Sequence, residues 1–582
     1  MNAEAANLVA EGADLVVMLV HEGAPSTTCS TMDDSGTWAN IINSISPDVD
    51  AIVSGHTHLA YNCSFPIAQW VAEGRAVTER PVVSAGQYGT SLNQLIFTVD
   101  GATGEVKTKF QDILAIAAYP ADPEVAQIVA DAKIVADELG LVPLGEIAGA
   151  FNRAQLSTIN STTGLPNENR GGESTLGNLV AEVQQWATEG EESGAAQIAF
   201  MNPGGLRADM VGTAEAGGGY PRELTYKDAA LVQPFANTLI NMDLTGAQIK
   251  TVLEQQWQRN ALNVVPSRPF LRLGVSEGFE YTYTQKPVTE FPLDNPATPD
   301  VNESLTSYTA PKGSVTGMWL NGQAIDLAAT YSVTVNSFLA GGGDNFPELA
   351  KGADKRDTGK VDLGAMVDYM EAATESGPLP VDYSQRAVEV AFAPGAPTSY
   401  AGGSTVAFDV KSWSMSTAAD VKDAELVVSL GDQVLGAFPV TTVLGTDPYD
   451  NLGTATVSVQ LPAGLPAGAA TLVLSGAATG TEVNVPLTIV EGIKTTVSGK
   501  VSGGKKGEPY VVDVSVKARG TVAPGTVSVS IPGGTPMVAT LAGGTASVEL
   551  PPLPSGKTVI TIAYPGNGTF TGATTTVTVN VK

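Results

Sequence analysis

Hydrophobic and polar positions divide the chain into regions of different texture. Over the first 110 residues, helical spacing at 2–12 is followed by a wholly apolar run at 15–20, which is typical of a buried strand. Further elements follow in the same alternation, with a short helix at 40–45 and strands at 51–54, 81–85 and 95–99. This order predicts an α/β layered domain. Because too few elements surround the first strand to close a core, we expect only part of such a domain.

One amphipathic helix is predicted between two mixed regions. It covers residues 122–139, where Asp122 can cap the start, Pro123 suits the first turn and Gly140 ends the pattern. Such a helix could join two domains. The region behind it again mixes helical patterns at 174–186 and 247–257 with strands at 197–201 and 331–336. We expect an α+β domain there.

Helical patterns disappear after about residue 385. Val, Thr, Gly, Pro and Ala dominate, and short alternating strands recur between turn residues. This texture is typical of all-β sandwiches, and two modules of immunoglobulin-like size fit, at 385–491 and 492–582. Neither contains cysteine, which excludes a disulfide-pinned version. We interpret the modules as spacers, which could also contact a cell wall or matrix.

The charge balance narrows the classes of partner. The chain has 31 basic and 60 acidic residues, a formal net charge of −29. Such a surface repels phosphate backbones and argues against nucleic-acid binding. It would also slow an anionic substrate, so a phosphate ester would need local arginines or metal ions. The sequence holds no apolar run of about 18 residues, and no membrane span is expected.

Both cysteines, Cys29 and Cys63, lie near the N-terminus. They could form one disulfide, worth about 3–4 kcal/mol, or remain two buried free thiols. We favour the disulfide, because other features indicate export. The start Met-Asn-Ala-Glu-Ala lacks the basic and apolar stretches of a signal peptide. We therefore expect that the parent protein has a longer N-terminus.

The three histidines of the chain all follow apolar strands. His21 comes directly after the run at 15–20, and His56 and His58 lie in a Gly-His-Thr-His motif after the next buried strand. Ligands bind at the carboxyl edge of an open α/β sheet, and imidazole nitrogens suit Zn, Mn or Fe-type ions. A lone histidine is usually an ordinary polar side chain. Three confined to strand ends predict a metal site.

Three turns of the second mixed region suit a nucleoside phosphate. The turn from Asn202 to Arg207 has two glycines, which allow close backbone approach beside a bidentate guanidinium. Phe235 and Phe338 could sandwich a flat base, worth about 1–3 kcal/mol per stack. Asp344, after three glycines, could accept hydrogen bonds from sugar hydroxyls. Taken singly, such a Phe is more often core and such a turn only a turn.

Three stretches of the first domain carry a family resemblance: VMLVHEG at 17–23, AIVSGHTH at 51–58 and VVSAGQYGTSLNQLIFTVD at 82–100. They resemble the last half of the calcineurin-like metallophosphoesterase domain of 5'-nucleotidases. The resemblance implies a site for two divalent ions, Zn, Mn or similar. His21 and His56 would bind one ion and His58 the other, with a hydroxide between them that attacks phosphorus.

The pattern of that family also includes three earlier motifs, Asp-x-His, Gly-Asp and Gly-Asn-His-Glu/Asp. They supply the remaining metal ligands and the His-Asp pair at the leaving group. None of them precedes His21 in this sequence. We therefore expect a truncated chain with a partial metal site, no residue with a certain catalytic role, and little nucleotide hydrolysis by the chain alone.

A second resemblance runs from about residue 145 to 370. It is carried by GESTLGNLVAE at 172–182, the Asn-x-Gly-Gly-Leu-Arg turn, YKDAALVQPFANTL at 226–239, DLTGAQIKTVLEQQW at 243–257 and NSFLAGGGDNF at 336–346. These motifs resemble the 5'-nucleotidase C-terminal domain. The resemblance implies that Phe235 and Phe338 stack the base and that Asp344 holds the ribose.

The same resemblance implies roles for the polar turn residues. Arg207 would meet the phosphate, Asn202 would contact the nucleoside, and Gly205 belongs to the same binding turn. Arg170, just before GESTLGN, lies near where the family has another phosphate-binding arginine. Arg153 is a further candidate.

Together these expectations describe a multidomain protein. They comprise a partial α/β four-layer metallophosphoesterase domain at 1–118, a linker helix at 119–142, an α+β 5'-nucleotidase C-terminal domain at 143–384 and two all-β Ig-like sandwiches at 385–491 and 492–582. The expected function is metal-dependent hydrolysis of nucleotide phosphate esters by a secreted or cell-surface parent protein. The alternative is a non-catalytic protein that binds nucleotides or nucleosides, or interacts at the cell surface.

Overall fold

The computed structural model describes residues 1–33, 36–160, 164–214, 218–293, 306–504 and 507–581. The chain falls into two compact units. The first comprises Met1–Leu141, Gln258–Pro269 and Val288–Ala310, and the second comprises Val142–Trp257, Phe270–Pro287 and Pro311–Lys582. The second unit thus contains both the α+β region and the all-β region of the sequence.

The first unit is built around a small mixed sheet. Its elements are α1 (Asn2–Ala10), β1 (Val17–Leu19), α2 (Gly36–Ser44), β2 (Ala51–Val53), β3 (Ala60–Pro66), α3 (Ala68–Glu73), β4 (Glu79–Ala85), β5 (Ser91–Val99), β6 (Val106–Ala115) and α4 (Pro123–Gly140). The sheet order is β1-β2-β4-β3, with β1, β2 and β4 parallel and β3 antiparallel to β4. β5 and β6 form a separate antiparallel hairpin.

The edge position of β1 explains one difference from the sequence prediction. The apolar run at 15–20 predicts a buried strand, but Val17 and Leu19 are 42% and 78% exposed. Val16 and Met18 point the other way and pack in the core of the unit. Since successive side chains of a strand alternate between faces, the run buries one face only.

A disulfide joins Cys29 to Cys63, with the two Cα atoms 5.5 Å apart. Cys63 lies in β3, and Cys29 lies in the loop that precedes α2. The bond therefore ties this loop to the sheet.

The helix expected between the two mixed regions is α4. The carboxylate of Asp122 accepts hydrogen bonds from the backbone nitrogens of Glu124 and Val125, at 2.9 and 3.1 Å. Pro123 occupies the first position, where its missing N–H costs nothing. Within the described parts of the chain, no helix combines the length and the hydropathy that crossing a membrane requires.

The second unit begins with a five-stranded sheet and its helices. The elements of this region are β7 (Pro143–Ile147), β8 (Gln155–Ile159), β9 (Pro166–Glu168), α5 (Thr175–Ala187), β10 (Ile198–Met201), β11 (Arg222–Thr225), α6 (Tyr226–Val232), β12 (Thr238–Thr245), α7 (Gly246–Glu254), β13 (Gly274–Val275), β14 (Phe279–Glu290), β15 (Tyr308–Leu320), β16 (Gln323–Ala324), β17 (Thr330–Asn336), α8 (Ser337–Ala340), β18 (Ala353–Val361) and α9 (Asp362–Ala373). The sheet order is β13-β10-β17-β12-β18, and β10 runs parallel to β17. Phe200 and Met201, neighbours in β10, join hydrophobic cores on opposite faces.

The remaining strands form the all-β region. They are β19 (Ala387–Ala391), β20 (Tyr400–Ala401), β21 (Thr405–Lys411), β22 (Glu425–Leu430), β23 (Gln433–Pro439), β24 (Ala455–Gln460), β25 (Gly468–Ser475), β26 (Glu482–Val490), β27 (Thr495–Gly503), β28 (Tyr510–Ala518), β29 (Thr521–Val522), β30 (Thr526–Ser530), β31 (Met537–Thr540), β32 (Thr545–Leu550), β33 (Gly556–Tyr564) and β34 (Ala573–Val581). Strands up to β26 surround one apolar core, and strands from β27 onwards surround another. We call them the first all-β module (385–491) and the second all-β module (492–582).

One sheet continues from the α+β region into the first all-β module. Its order is β16-β15-β14-β19-β21-β24. β19 pairs in parallel with β14, which sets Tyr281 opposite Ala387 and Tyr283 opposite Glu389. Because neighbouring strands share a hydrogen-bond ladder, the two regions are joined by backbone pairing as well as by side chains.

A buried arginine lies at the same junction. Arg272 donates hydrogen bonds to the hydroxyls of Tyr281 and Tyr283, each at 2.8 Å. Its Nη2 lies 3.4 Å from Oδ2 of Asp450, in the first all-β module, and the two side chains are 1% and 5% exposed. The same Asp450 oxygen accepts from the backbone nitrogen of Glu173 at 3.1 Å. A carboxylate of the module thus neutralises a guanidinium of the α+β region.

Two carboxyl groups near this junction have elevated pKa values. Glu173 accepts from the backbone nitrogens of Arg386 and Ala387 at 2.8 and 3.1 Å, and its burial raises its pKa to about 7. Burial and the neighbouring carboxylate of Glu482 raise the pKa of Glu280 to about 7 as well. Both groups therefore hold protons more tightly in the folded chain.

The pKa values of Glu173 and Glu280 make the stability of the second unit pH-dependent. The unfolded value is about 4, so the contribution is fully present below that pH and is lost as the pH rises through about 7. We expect the melting temperature, measured by calorimetry, to fall by several degrees between about pH 5 and pH 8. Glu280→Gln should reduce the fall, whereas Glu425→Gln, at an exposed strand position, should not. A melting temperature that rises over this range would contradict the assignment.

Candidate functional site

Two parallel strands bring the candidate binding turns to one edge of the sheet. β10 ends at Met201 and β17 ends at Asn336, and Phe200 lies opposite Val335 in their parallel register. The carboxyl ends of parallel strands meet at the same edge, where ligands bind in open α/β sheets. The turn at 202–207 and the turn at 341–345 therefore follow adjacent strands.

A chain of polar side chains joins these two turns. Asn202 donates from Nδ2 to Oδ2 of Asp344 at 2.7 Å, and Asn336 donates from Nδ2 to Oδ1 of Asn202 at 3.0 Å. Asn336 also accepts from the backbone nitrogen of Leu339 and caps α8. Because Asn202 and Asn336 are buried, their hydrogen bonds hold the Asp344 carboxylate in one orientation. Sequence reasoning missed Asn336, although its place between a strand and a helix start was a signal.

Asp344 has a left-handed backbone conformation with a φ of +50°. Aspartate tolerates this region better than most residues. One carboxylate oxygen is engaged by Asn202. A carboxylate has about four acceptor positions over its two oxygens, so Asp344 retains capacity for hydroxyl donors.

Gly204 lies where Asp344 and Arg170 converge. A Cβ added to Gly204 would stand 3.0 Å from Oδ2 of Asp344 and 3.3 Å from Nη1 of Arg170. Any side chain here would fill the space between the carboxylate and the guanidinium, and glycine leaves it open. Gly205, which the sequence places among the binding residues, is instead buried, and its Cβ would stand 2.4 Å from Cε of Met201. The structure thus turns Gly204 towards the polar groups and Gly205 towards the core.

The two phenylalanines predicted to stack on a base are about half exposed, which is uncommon for this residue type. Phe235 is 55% exposed and Phe338 is 49% exposed. Arg207 Cζ lies 5.8 Å from the centroid of the Phe235 ring. The Phe338 ring packs over Gly343, where an added Cβ would come within 2.6 Å of ring atoms. Each ring is therefore supported on one side and open on part of its surface.

The two segments that carry the rings, the loop with Phe235 and the helix α8 with Phe338, are joined by hydrogen bonds. Ser337 donates from its hydroxyl to Oδ1 of Asn237 at 3.5 Å, and Asn237 donates to Oδ2 of Asp362 at 3.2 Å. Asp362 is buried at the start of α9, and burial raises its pKa. Phe235 and Phe338 thus lie within two residues of one hydrogen-bonded chain.

The three candidate arginines have different surroundings. Arg170 directs Nη1 towards Gly204, and Arg207 donates from Nη1 to the Gly204 carbonyl at 3.3 Å. Arg170 also forms an ion pair with Glu168, with Nε 3.3 Å from Oε1. Arg153 pairs with Asp209, with Nε 3.0 Å from Oδ1, and its Nη1 lies 4.0 Å from the other carboxylate oxygen of Glu168. The structure therefore gathers Arg170 and Arg207 around one glycine and engages Arg153 with two carboxylates.

The histidines of the first unit are arranged as a pair and a separate member. The rings of His21 and His56 meet edge to face with centroids 5.3 Å apart. This separation suits two imidazoles that bind one ion about 2 Å from each nitrogen. The ring of His58 faces Tyr88, with centroids 6.1 Å apart. His56 and His58 have φ values of 62° and 61°, so each ring direction depends on a left-handed residue.

The donor set in the first unit fits only part of a metal centre. Among the residues that the structure describes, no group of three or more His, Cys, Asp or Glu side chains is arranged to hold a metal ion. Zn and Mn sites use four or more ligands, often with carboxylates. His21 and His56 could supply two of them for one ion. They do not match the site for two ions that the sequence resemblance implies.

The Gly-rich turns lie at the carboxyl edge of the two parallel strands, and the half-exposed rings lie in the same α+β region. Residues 152–351 match the family described as 5'-nucleotidase, C-terminal domain. This match confirms the resemblance seen in the motifs of the second mixed region.

Similar proteins include enzymes and a surface protein. A cell wall protein of Listeria monocytogenes is 27% identical over 374 residues, which cover 60% of this chain and 39% of that protein. The 5'-nucleotidase of Vibrio vulnificus is 32% identical over 199 residues, which cover 34% of this chain and 27% of the enzyme. The chain thus spans well under half the length of these relatives. Among solved structures, a 5'-nucleotidase precursor from Thermus thermophilus matches at 23% identity and a TM-score of 0.40, over 66% of each chain.

The exposure of the two rings predicts that they contribute little to folding. We expect Phe235→Ala and Phe338→Ala to change the free energy of unfolding by less than about 1 kcal/mol. Phe346→Ala is the matched control, because Phe346 is 0% exposed and its truncation should cost about 3–5 kcal/mol. Urea denaturation of the three variants measures these values. A large loss for either exposed ring would show that it serves the core.

Proposed function

We propose that this chain belongs to a protein that hydrolyses nucleotide phosphate esters, and that its second unit binds the nucleotide. One observation carries the proposal, namely that Asn202, Asp344 and Arg170 converge around Gly204. The family match of residues 152–351 supports it. Two 5'-nucleotidases of Vibrio species among the relatives agree with this reaction class.

Each group of the site has a chemical role in this proposal. Phe235 and Phe338 stack on the base, since every base presents a flat π-face to an aromatic ring. Asp344 accepts hydrogen bonds from the ribose hydroxyls, and Asn202 holds its carboxylate in place. Arg170 and Arg207 bind the phosphate. Their local positive charge offsets the repulsion from a chain of net charge −29.

The first unit, in this proposal, is part of a calcineurin-like metallophosphoesterase domain. His21 and His56 would hold one divalent ion, which supplies Lewis-acid polarisation of a phosphoryl oxygen when bound. The described residues provide no carboxylate beside this pair that could complete the site. We therefore assign nucleotide binding to the second unit and assign no hydrolytic step to a residue of this chain.

A second candidate function rests on the similarity to a cell wall protein. In that case the binding domain captures nucleotides or nucleosides without hydrolysis, and the two all-β modules, of immunoglobulin-like size, hold it at the cell surface. The two functions share the binding site and differ in turnover.

Ligand binding provides the first test. We expect Phe338→Ala to weaken adenosine binding at least about tenfold in calorimetric titration, because one base stack is lost. Leu327→Ala serves as control, because Leu327 is also 49% exposed but precedes the opposite end of β17. Unchanged adenosine affinity in Phe338→Ala would refute the stacking role.

Turnover provides the second test. We expect the 582-residue chain to release little phosphate from AMP in the presence of added Mn²⁺ or Zn²⁺, because two imidazoles alone hold a divalent ion weakly. His56→Ala should leave adenosine affinity unchanged. Rapid phosphate release that His56→Ala abolishes would contradict the expectation and favour a complete catalytic site within this chain.

A further inference from the structure

We propose that the first all-β module positions Arg170 for the phosphate group of the ligand. The proposal rests on the nucleotide-binding function above and deepens it. The module supplies no group to the site itself. It acts through the segment 152–173, which carries Arg170 and which we call the Arg170 segment.

Backbone hydrogen bonds fasten the start of the Arg170 segment to the module. The backbone nitrogen of Gln155 donates to the hydroxyl of Ser416 at 2.7 Å. Two residues further on, the backbone nitrogen of Ser157 donates to the carbonyl of Gly445 at 2.9 Å. Both donors lie in β8, whose pairing with β9 makes an isolated two-stranded ribbon. A two-stranded ribbon is marginal on its own, so these contacts hold it in place.

The other end of the Arg170 segment is fixed at the buried arginine. The backbone nitrogen of Glu173 donates to Oδ2 of Asp450 at 3.1 Å. The backbone nitrogen of Arg272 donates to the carbonyl of Arg170 itself at 2.9 Å, and the Arg272 side chain faces Asp450. Asp450 is therefore connected to the chain directly after Arg170 by two buried contacts, one to Glu173 and one through Arg272.

Gly171 shows how closely the segment and the module approach each other. A Cβ on Gly171 would stand 1.7 Å from the carbonyl oxygen of Pro448 in the module. It would also stand 2.9 Å from Cδ1 of Phe270. Since no Cβ fits at such distances, any side chain at 171 must push the segment away from the module. Arg170 is the adjacent residue, and its guanidinium borders the open space at Gly204.

The geometry has a specific consequence for ligand affinity. The base and ribose are assigned to Phe235, on the loop after α6, to Phe338, in α8, and to Asp344, in the turn after α8. Arg170 alone among the proposed contacts lies on the segment that the module holds. A displaced segment should therefore weaken binding of the phosphate group and leave binding of the nucleoside part unchanged. A general loss of structure would weaken both.

The test is the substitution Gly171→Ala in the full chain, with AMP and adenosine titrated separately by calorimetry. We expect the Kd for AMP to rise about tenfold and the Kd for adenosine to change less than about twofold, as for loss of one charge-assisted contact. Gly464→Ala is the control, because an added Cβ at Gly464 meets no atom within 4 Å. It should leave both affinities unchanged.

A milder variant and a double substitution complete the test. Ser416→Ala removes one hydrogen bond on the module side and should shift AMP affinity in the same direction by a smaller factor. In an Arg170→Ala background, Gly171→Ala should have no further effect on AMP binding, because the positioned group is gone.

The possible results distinguish the positioning role of the module from the nucleotide-binding function on which it rests. Equal losses for AMP and adenosine, or unchanged AMP affinity in Gly171→Ala, would overturn the positioning role while leaving the nucleotide site intact. An additive effect in the Arg170→Ala background would overturn it too. If the unaltered chain binds neither ligand, the proposed function itself is wrong and the positioning role falls with it.

Discussion

The second unit depends on the burial of one positive charge. The guanidinium of Arg272 lies 5.0 Å from the Phe270 ring and 4.9 Å from the Tyr283 ring, and it is nearly inaccessible to water. An isolated buried ion costs several kcal/mol, and the cost is recovered only with a well-placed counter-charge. Asp450 provides that charge from the first all-β module. The docked module therefore stabilises the burial of this arginine in the α+β region.

Buried polar groups at the candidate site are likewise paired, here by hydrogen bonds between neutral side chains and one carboxylate. Asn336 completes the hydrogen bonding of Asn202, and Asn202 in turn orients Asp344. Both buried amides are thus hydrogen-bonded, and the Asp344 carboxylate is held in place beside Gly204, across from the Arg170 guanidinium. A rigid acceptor of this kind favours ligands with hydroxyl donors in a fixed geometry.

Much of the fold and of the candidate site could be predicted from local sequence patterns and from the chemistry of single residues. The helix capped by Asp122, the strands that end at Met201 and Asn336, and the turns with Phe235 and Phe338 follow from periodicity and motif. Contacts between residues that are distant in sequence could not be predicted in this way. Arg272 and Asp450 are 178 residues apart, and no periodicity links them. Gly204 and Gly205 are equivalent in a motif, and only the direction of the turn decides which one faces Asp344 and Arg170. The exposure of Leu19 likewise depends on the edge position of β1.

The parallel pairing of β14 with β19 bears on how such a protein evolves. Independently folded domains joined by linkers can be exchanged between proteins, because a cut in the linker breaks no strand pairing. Here a cut at the compositional boundary near residue 385 would remove β19 from one side of β14 and expose a row of backbone donors and acceptors. Separating the first all-β module from the α+β region would therefore break a sheet, whereas the strand ladders of the second module form among its own strands. Of the two modules, the second is the one that recombination could exchange without cutting a sheet.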